Sequence, residues 1–312
     1  MAKALICGSF AFDIIMNFED QFHRHILPDQ LHRLNVSFLV SKMRREYGGC
    51  AGNIAYNLHL LDRSAACPMG TVGMDFSEYA RWMKKKEITK ECIREIDQVY
   101  TAQAYITTDQ DGNQITIFHP GAMNNSHENK VSQAKNISVG IISPDGKQGM
   151  IEHAEQFCDA NIPFIFDPGQ GMPMFDGSEL IQFMEQTTWM TFNDYEFELF
   201  KERTGKSLTD IRSQVAALIV TKGEAGSVIY TPEKEIEIPL VKAKAVLDPT
   251  GCGDAYRAGL LYGIMNSMDW ETSGRIASLM GAYKIASFGT QNHAFDKEGF
   301  FKHFETEFGY SI

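Results

Sequence analysis

The chain has 312 residues, of which 44% are hydrophobic and 22% are charged. This composition is that of a globular protein with a substantial core, and it excludes a disordered chain, a collagen-like repeat and a small disulfide scaffold. The 29 Lys and Arg residues face 40 Asp and Glu residues, and the net charge of −11 argues against binding to nucleic acid or to an anionic membrane surface. An anionic small-molecule substrate is compatible with this charge, because backbone amides can bind it.

Short β-rich runs alternate with helical stretches along the chain, a pattern typical of a largely parallel sheet covered by helices. The predicted strands of this α/β body are Ala4–Cys7, Val139–Ser143, Pro163–Phe166 and Ala216–Thr221. The predicted helices are Asn53–Leu61, Glu78–Lys86, Gln148–Ala160, Asp194–Arg203, Asp254–Asn266 and Thr272–Ser287. Polar and glycine-rich residues follow two of these strands, as Asp167-Pro168-Gly169 and Lys222-Gly223, at the edge of the sheet where α/β folds bind ligands.

Four other segments alternate polar and apolar residues with a period close to two, as half-buried strands do. They are Phe12–Asn17, Val36–Lys42, Thr101–Thr107 and Gln114–Phe118. Asp111 and Gly112 separate the last two segments like a hairpin turn. We expect a small antiparallel sheet, formed by about residues 10–46 and 97–120, that acts as a hinged lid. Because no low-complexity linker separates it from the body, we expect residues 1–312 to form a single unit.

The six cysteines are scattered along the chain, and none are spaced as C-x-x-C. This spacing predicts neither a zinc site nor a disulfide framework, and scattered free thiols are typical of the reducing cytosol. The apolar run at residues 4–8 is too short for a signal peptide, and other apolar runs fall far short of the roughly 20 residues of a membrane span. We therefore expect a cytoplasmic protein that does not enter the membrane.

The segment Asp248–Asp254, with the sequence DPTGCGD, carries the clearest chemical signal. It follows a strand-like stretch, Val241–Leu247, and leads into the predicted helix Asp254–Asn266. Glycines allow a tight turn in which successive N–H groups converge, and the helix dipole adds to this anion hole. Asp254 could simply cap the helix, but a cap requires neither the glycines nor Asp248. We prefer a second interpretation, in which the carboxylate takes a proton from a hydroxyl that attacks a phosphate.

The same segment resembles the carboxyl-terminal signature of the ribokinase-like (PfkB) family of carbohydrate and nucleoside kinases, commonly written DTxGAGD. It departs from that signature at Pro249 and at Cys252, where alanine is usual. Other motifs of the family follow in the expected order: Gly8…Asp13, Gly48-Gly49…Asn53, Asn193-Asp194-Tyr195-Glu196, Thr221-Lys222-Gly223…Gly226 and Gly289-Thr290. The resemblance spans nearly the whole chain. It implies a three-layer α/β/α fold with a small β-lid, and transfer of the γ-phosphate of ATP to a primary hydroxyl.

The resemblance also implies a role for each matching residue. The catalytic groups would be Asp254 as the base and, as the anion hole, the amides of Gly251, Cys252 and Gly253. The residues that bind the substrate would be Asp13, Gly48, Gly49 and Asn53. The residues that bind the nucleotide would be Asn193, Glu196, Thr221, Gly223 and Gly226.

Two cations are implied in the same way. Asn193 and Glu196 lie one helical turn apart, and the family uses this pair to organise Mg²⁺, largely through water. An asparagine cap followed by a surface glutamate is the alternative interpretation of the pair. Asp248 and Thr250, with the backbone near Gly289, resemble the site where many members bind a monovalent cation, which implies K⁺.

Three residues keep alternative interpretations. Arg257 lies one turn after Asp254 on the same helix face, where it would contact the transferring phosphate or form a surface salt bridge. Asp13 would bind two substrate hydroxyls, since an ionised carboxylate only accepts hydrogen bonds, or it would be a turn residue after the first strand. Asn53 would contact the substrate, cap the following helix, or do both in part.

Three stretches look like those of bacterial and archaeal adenosine or nucleoside kinases: Gly70–Phe76, Asn113–Met123 and Gly253–Gly259. Apolar residues of the lid and its rim would either form a slot for a purine or only pack the lid. They are Phe12, Ile14, Phe38, Phe118 and Met123. We therefore expect the 5′-hydroxyl of adenosine or a related nucleoside as the acceptor.

Two other functions stay open. One is a sugar kinase similar to ribokinase or fructokinase, and the other is a catalytically silent scaffold that binds a nucleotide or a sugar. We expect the partners to be ATP and a small molecule, with neither nucleic acid nor membrane among them. Because the edge strands of a lid can pair between subunits, the sequence also predicts a homodimer through the lid.

Overall fold

The structure is a computed structural model that describes residues 2–26, 32–33 and 35–312. The strands of its larger sheet, numbered in chain order, are β1 (Lys3–Cys7), β4 (Ala66–Val72), β5 (Cys92–Glu95), β8 (Ile137–Ile142), β9 (Phe164–Phe166), β10 (Trp189–Asn193), β11 (Ala217–Thr221), β12 (Ser227–Tyr230) and β13 (Glu235–Ile238). The strands of a smaller sheet are β2 (Ala11–Asn17), β3 (Lys42–Gly48), β6 (Ala102–Thr108) and β7 (Gln114–His119). The α-helices are α1 (Phe22–His25), α2 (Cys50–Leu61), α3 (Ser77–Lys85), α4 (Lys147–Asp159), α5 (Gly177–Gln186), α6 (Asp194–Thr204), α7 (Leu208–Gln214), α8 (Cys252–Met265), α9 (Trp270–Ile285) and α10 (Lys297–Phe308).

The larger sheet has the strand order β13-β12-β11-β10-β9-β8-β1-β4-β5. Neighbouring strands are parallel from β5 to β11, whereas β12 pairs antiparallel with both β11 and β13. Successive side chains of a strand point to opposite faces, and both faces of β1 are buried in this way. Ala4 and Ile6 pack with helices α2, α8, α9 and α10, while Leu5 and Cys7 pack on the side of α4, α5, α6 and α7. The predicted three-layer α/β/α fold with a largely parallel sheet is confirmed.

The predicted body strands and helices all overlap observed elements, with ends displaced by at most three residues, as at Asn53 against Cys50. Two helix starts matter for the site. Helix α2 begins at Cys50, after Gly49, and α8 begins at Cys252, after Gly251. Asn53 and Asp254 therefore lie in the first turns of these helices and are not their N-caps. Among the described helices, none is both long and apolar enough to cross a membrane.

The smaller sheet has the strand order β3-β2-β6-β7. The pairs β2–β3 and β6–β7 are antiparallel, whereas β2 and β6 run parallel in the middle. The predictions for β2, β6 and β7 are confirmed within one residue. At the hairpin turn, the carboxylate of Asp109 accepts the N–H groups of Asp111 and Asn113 at 3.0 and 2.8 Å.

Two strand predictions were wrong. Residues 35–41 contain no strand, and the chain enters the sheet as β3 instead of at Val36–Lys42. The sequence of β3, KMRREYG, is mostly charged, and charged residues are compatible with an exposed edge strand but have low β-propensity. Val241–Leu247 is likewise not a strand, because its ends bond to helix α9: the Val241 N–H donates to Ser278 Oγ and the Leu247 N–H to the Ile285 carbonyl.

Candidate active site

The anion loop, residues 248–253, lies at the start of α8. Gly251 takes φ +79°, which L side chains rarely adopt, and its Cβ would lie 3.0 Å from the Thr290 side chain. The N–H groups of the first helical turn, Gly253 among them, have no partner within the helix. The Cys252 N–H donates to the Pro249 carbonyl at 3.1 Å and so helps to close the turn. The loop thus presents the start of a helix and its positive dipole end to the site.

Asp254 is the third residue of α8, and its environment suits a base. Its Oδ2 accepts a hydrogen bond from Asn53 Nδ2 at 2.8 Å. Burial raises the pKa of Asp254 to about 7, and the nearby negative charge of Asp167 adds to this rise. The hydrogen bond from Asn53 and the positive charge of Arg257 act in the opposite direction. A carboxyl group with a pKa near neutrality can take up a proton during catalysis and release it afterwards.

A network of side-chain hydrogen bonds holds Asn53 in place. Gln291 Nε2 donates to Asn53 Oδ1 at 3.0 Å and to the hydroxyl of Tyr79 at 2.5 Å. The Tyr79 hydroxyl donates to the Gly48 carbonyl at 3.0 Å, and the indole N–H of Trp82 donates to Gln291 Oε1 at 3.1 Å. All four side chains are buried or half-buried. The network connects Asp254 to the backbone of the loop predicted to bind the substrate.

Asp13, Gly48 and Gly49 lie together at the junction of β2, β3 and α2. A Cβ at Gly48 would lie 2.5 Å from Asp13 Oδ2, so glycine is required for the carboxylate to occupy this position. Gly49 has φ +86°, and its Cβ would lie 2.5 Å from the Ser9 carbonyl oxygen. Burial raises the pKa of Asp13 to about 6, and the charges of Glu46 and Asp248 contribute. Asp13 is thus a recessed carboxylate at the base of the smaller sheet.

Arg257 forms a buried ion pair with Asp167, the residue that follows strand β9. Its Nε and Nη2 donate to the two carboxylate oxygens of Asp167, both at 3.0 Å. The two side chains are only 7% and 5% exposed, so this pair is not the surface salt bridge considered from the sequence. The third nitrogen, Nη1, lies beside the anion loop, 3.2 Å from where a Cβ of Gly253 would stand.

Asn193 and Glu196 form a capping box at the start of α6. Asn193 Oδ1 accepts the Glu196 N–H at 2.7 Å, and Glu196 Oε2 accepts the Asn193 N–H at 2.8 Å. The capping role of Asn193 is therefore present, but Glu196 is no surface residue. Burial raises its pKa, and the charge of Asp167 contributes. The carboxylates of Glu196 and Asp167 provide the kind of oxygen donor that Mg²⁺ prefers. Within the described residues, no three His, Cys, Asp or Glu side chains cluster closely enough to hold a metal directly.

The glycine-rich nucleotide motif follows the next strand along the sheet. Thr221 ends β11 and is paired with Asn193, which ends β10, so the two motifs are neighbours. Gly223 has φ +54°, and a Cβ there would face open space. Gly226 has φ +79° and packs against the Ile238 carbonyl. The loop between these glycines is closed by a bond from the Lys222 N–H to the Gly226 carbonyl at 2.8 Å.

Asp248 and Thr250 occupy the far side of the anion loop. The two carboxylate oxygens of Asp248 accept the N–H groups of Thr250 and Gly289, both at 2.9 Å. Burial works against the charge of Asp248, but these two hydrogen bonds, together with the Thr250 side chain and the positive charge of Lys284, lower its pKa. The Asp248 carbonyl accepts a hydrogen bond from the ammonium of Lys284 at 2.7 Å.

The residues considered for an apolar slot separate into two groups. Phe12 is fully buried, with Tyr79 on one side and the Arg45 guanidinium 3.5 Å from the centre of its ring. Phe38 packs against Phe18 and Phe22. These two side chains pack the protein. Of the others, Phe118 is exposed, and Ile14 and Met123 are half-buried.

The comparison with known proteins identifies the family. A model of pfkB family carbohydrate kinases matches residues 9–297, and the chain therefore belongs to this family of enzymes. It is 34% identical to the nucleoside kinase of Methanocaldococcus jannaschii over 295 residues, which cover 94% of this chain and 93% of the relative. It is 27% identical to the ribokinase of Lactococcus lactis over 252 residues, 78% of this chain and 81% of the relative.

Solved structures agree with this assignment. The nucleoside kinase of Burkholderia thailandensis in complex with inosine is 51% identical and has a TM-score of 0.90, with 99% of both chains covered. The nucleoside kinase of M. jannaschii has a TM-score of 0.89 at 32% identity, with 98% and 99% covered. The prediction of a PfkB-family kinase is confirmed, and the similarities favour nucleoside kinases over sugar kinases.

Two residues of the site, Lys284 and Gln291, were missed by the sequence analysis, and a third, Asp167, was placed at the ligand-binding edge of the sheet without a role. Asp167 follows a predicted strand, at the edge of the sheet where α/β folds bind ligands, and this position was the available signal. Lys284 lies in a predicted helix and Gln291 follows a recognised glycine, but neither has a local pattern that indicates burial. Both contact residues far along the chain, Asp248 and Asn53.

Proposed function

We propose that this protein transfers the γ-phosphate of ATP to the 5′-hydroxyl of a purine nucleoside, adenosine or a close relative of it. The observation that carries the proposal is the position of Asp254. Its carboxylate is held by Asn53 at the start of the helix that carries the anion loop, and its pKa is raised to about 7. A base and an anion site side by side are what phosphoryl transfer to a hydroxyl requires.

In the proposed reaction, Asp254 accepts the proton of the acceptor hydroxyl. The oxygen then forms a bond to the γ-phosphorus while the bond to the β,γ-bridging oxygen breaks, and ADP leaves. Negative charge on the transferring phosphoryl group meets the N–H groups of Gly251 and Gly253 and the Nη1 of Arg257, whereas the Cys252 N–H, predicted to join them, is already bonded within the turn. The hydrogen bond of Cys252 to Pro249 gives the turn its shape, and donors fixed in advance stabilise a transition state without reorganising.

The other matching residues have supporting roles in the proposal. Asp13 accepts hydrogen bonds from two ribose hydroxyls, next to Gly48, Gly49 and Asn53. Thr221, Gly223 and Gly226 contact ATP, at the strand end beside Asn193. Glu196 with Asn193 would hold Mg²⁺ through water, and the ion would neutralise charge on the phosphates. ATP as the donor also suits a cytoplasmic location.

The smaller sheet acts as a lid in this proposal, within a single unit that spans residues 1–312. Asp13 is on this sheet, on β2, whereas Asp254 is on the body, so an acceptor held by both bridges the two sheets. Closing the lid excludes water from the phosphate. The protein should therefore hydrolyse ATP only slowly when no acceptor is present.

The preference for nucleosides as acceptors comes from the similarity to known proteins and not from the geometry of the site. The relatives with high similarity over nearly the whole chain are nucleoside kinases, and one of them binds inosine. A sugar kinase is the second candidate, because a carboxylate such as Asp13 would bind the diol of a free sugar equally well. A silent scaffold would have no use for the hydrogen bond that positions Asp254.

The test is an assay of ADP release with Mg-ATP and a panel of acceptors: adenosine, inosine, guanosine, cytidine, ribose and fructose. The proposal predicts turnover with adenosine or another purine nucleoside and formation of its 5′-monophosphate. Turnover with ribose or fructose alone would replace the nucleoside with a sugar and keep the mechanism. Binding of ATP without turnover of any acceptor would favour the silent scaffold.

A further inference from the structure

Lys284 is a completely buried lysine in the last turn of α9, with 0% of its surface exposed. Lysine is almost never fully buried unless its charge has partners. Here the partners are backbone carbonyls: Nζ donates to the oxygen of Asp248 at 2.7 Å and to that of Ser287 at 3.2 Å. Burying a charge costs free energy, so an ammonium buried next to the anion loop indicates a role other than filling space.

The two carbonyls belong to the two chain segments that build this side of the site. One segment is the anion loop, which starts at Asp248, and the other is the turn after α9, which contains Ser287 and Gly289. The carboxylate of Asp248 joins the same segments through the N–H groups of Thr250 and Gly289. The ammonium and the carboxylate together therefore fix the anion loop to the end of α9.

This arrangement does not fit the exchangeable K⁺ ion that the resemblance implies. Carbonyl oxygens bind K⁺ by replacing its water shell, and the Asp248 carbonyl is already bonded to an ammonium of the same charge. Both carboxylate oxygens of Asp248 accept N–H groups, and the Arg44 guanidinium lies 3.9 Å from one of them. A further cation here would face two positive charges at short range, and like charges repel strongly away from bulk water.

We propose that the ammonium of Lys284 is a built-in cation that takes the place of an exchangeable monovalent ion, so that the kinase works without K⁺. The ammonium is a compact unit charge with three donors, and it suits carbonyl oxygens as K⁺ does. Because it is tethered, the anion loop is held in shape at any salt composition. The inference rests on the proposed phosphotransfer for its effect on rate, but its structural part does not.

The first experiment uses the unmodified protein in two buffers of equal ionic strength, one with KCl and one with tetramethylammonium chloride. The tetramethylammonium ion is too large to replace K⁺ and has no N–H donor. We expect the same rate of nucleoside phosphorylation and the same thermal unfolding midpoint in both buffers. An increase of fivefold or more in rate with KCl, the size of an ordinary coupling between sites, would overturn the proposal.

The second experiment compares Lys284→Ala with Lys284→Met. In tetramethylammonium chloride, each variant should lose about 10²-fold in rate, the usual effect of losing one preorganised charge-stabilising group. K⁺ or NH₄⁺ should restore much of the rate and raise the unfolding midpoint of Lys284→Ala, which leaves space for an ion. Lys284→Met fills that space, so neither its rate nor its unfolding midpoint should change when K⁺ or NH₄⁺ is added. Lys244→Ala, at an exposed lysine of the segment before Asp248, is the control and should behave like the unmodified protein.

A folded Lys284→Ala whose unfolding midpoint ignores K⁺ and NH₄⁺ would refute the proposal. If the variant does not fold, the comparison of the two buffers with the unmodified protein still decides whether the kinase needs K⁺. The unfolding midpoint is measured without any acceptor. If no acceptor is phosphorylated in either buffer, the proposed function fails, while the effect of K⁺ on the midpoints still tests Lys284.

Discussion

Asn53 and Asp254 are 201 residues apart in the chain, and the side-chain amide of one donates to the carboxylate of the other at 2.8 Å. Both lie in the first turn of a helix that follows a glycine with positive φ, Gly49 before α2 and Gly251 before α8. The two helix starts thus face each other. This places a residue predicted to bind the substrate in contact with the residue predicted to be the base.

The pKa of Asp254 predicts how the reaction depends on pH. A base must be ionised, and burial raises this pKa to about 7, so kcat/KM should fall as the pH drops below about 7. Asp13 has a pKa raised to about 6, also by burial, so the fall should become steeper below about pH 6. A pH–rate profile checks this. A profile that is flat from pH 5 to pH 8 would contradict the role of Asp254.

Replacing Asn53 should move that profile. The hydrogen bond from Asn53 favours the ionised form of Asp254, so Asn53→Ala removes a lowering effect and raises the pKa of the carboxyl group. The midpoint near pH 7 should shift to higher pH. Asn124→Ala, at an exposed asparagine far from Asp254 in sequence, is the control and should leave the midpoint in place. A purely structural role of Asn53 would lower the rate at every pH alike.

Gly48→Ala tests the contact between the glycine motif and Asp13. The new methyl group would lie 2.5 Å from Asp13 Oδ2, so the carboxylate must move. Because a misplacement of about 1 Å can reduce rates by about 10²-fold, we expect a comparable loss in kcat/KM for the acceptor, with little change in KM for ATP. Gly281→Ala is the control, since a Cβ at this helical glycine meets nothing within 4 Å. Equal effects on both substrates would argue against a role of Asp13 in acceptor binding.

The buried pair of Arg257 and Asp167 should contribute to stability as a unit. Arg257→Met leaves the Asp167 carboxylate buried without its partner and should lower the free energy of unfolding by about 3–5 kcal/mol. Asp167→Leu should have a similar effect. The double variant should lose less than the sum of the two, because it removes both charges. Urea unfolding of the four proteins gives the coupling energy, and strictly additive losses would show that the pair is not coupled.

The sequence predicts a homodimer that forms through the smaller sheet. Its edge strand β7 is exposed along its whole length, and Ile117 and Phe118 are 65% and 49% exposed. Ile117→Lys should convert a dimer into a monomer in sedimentation equilibrium. Ile312→Lys, at an exposed isoleucine of the carboxyl terminus, should not. A monomeric unmodified protein would contradict this prediction.

The parts of the fold that could be predicted are those with a strong local pattern. The strand β1 is short, apolar and buried on both faces, and β6 and β7 alternate in polarity around a turn that contains Gly112. The predicted start of α8 lies within two residues of the observed start, because the glycines before it mark the beginning of a helix. By contrast, β3 is mostly charged, and its place in the sheet comes from its pairing with β2.

The parts of the site that could not be predicted depend on contacts between distant segments. The partner of Arg257 lies 90 residues earlier, and Gln291 lies 238 residues from Asn53. Nothing near Lys284 in the sequence indicates that its charge is buried against two carbonyls. Sequence motifs therefore indicated which groups carry the chemistry, whereas the residues that position those groups became visible only in three dimensions.

The most direct test of the account is phosphotransfer from ATP to a purine nucleoside by Asp254→Asn in a single turnover. The variant should still bind ATP and nucleoside, measured by calorimetry, and should lose about 10²–10⁴-fold in rate, because an amide cannot accept the proton. Asp159→Asn, at an exposed aspartate that ends α4, is the control and should keep the full rate. An Asp254→Asn protein that transfers phosphate as fast as the unmodified enzyme would contradict the account.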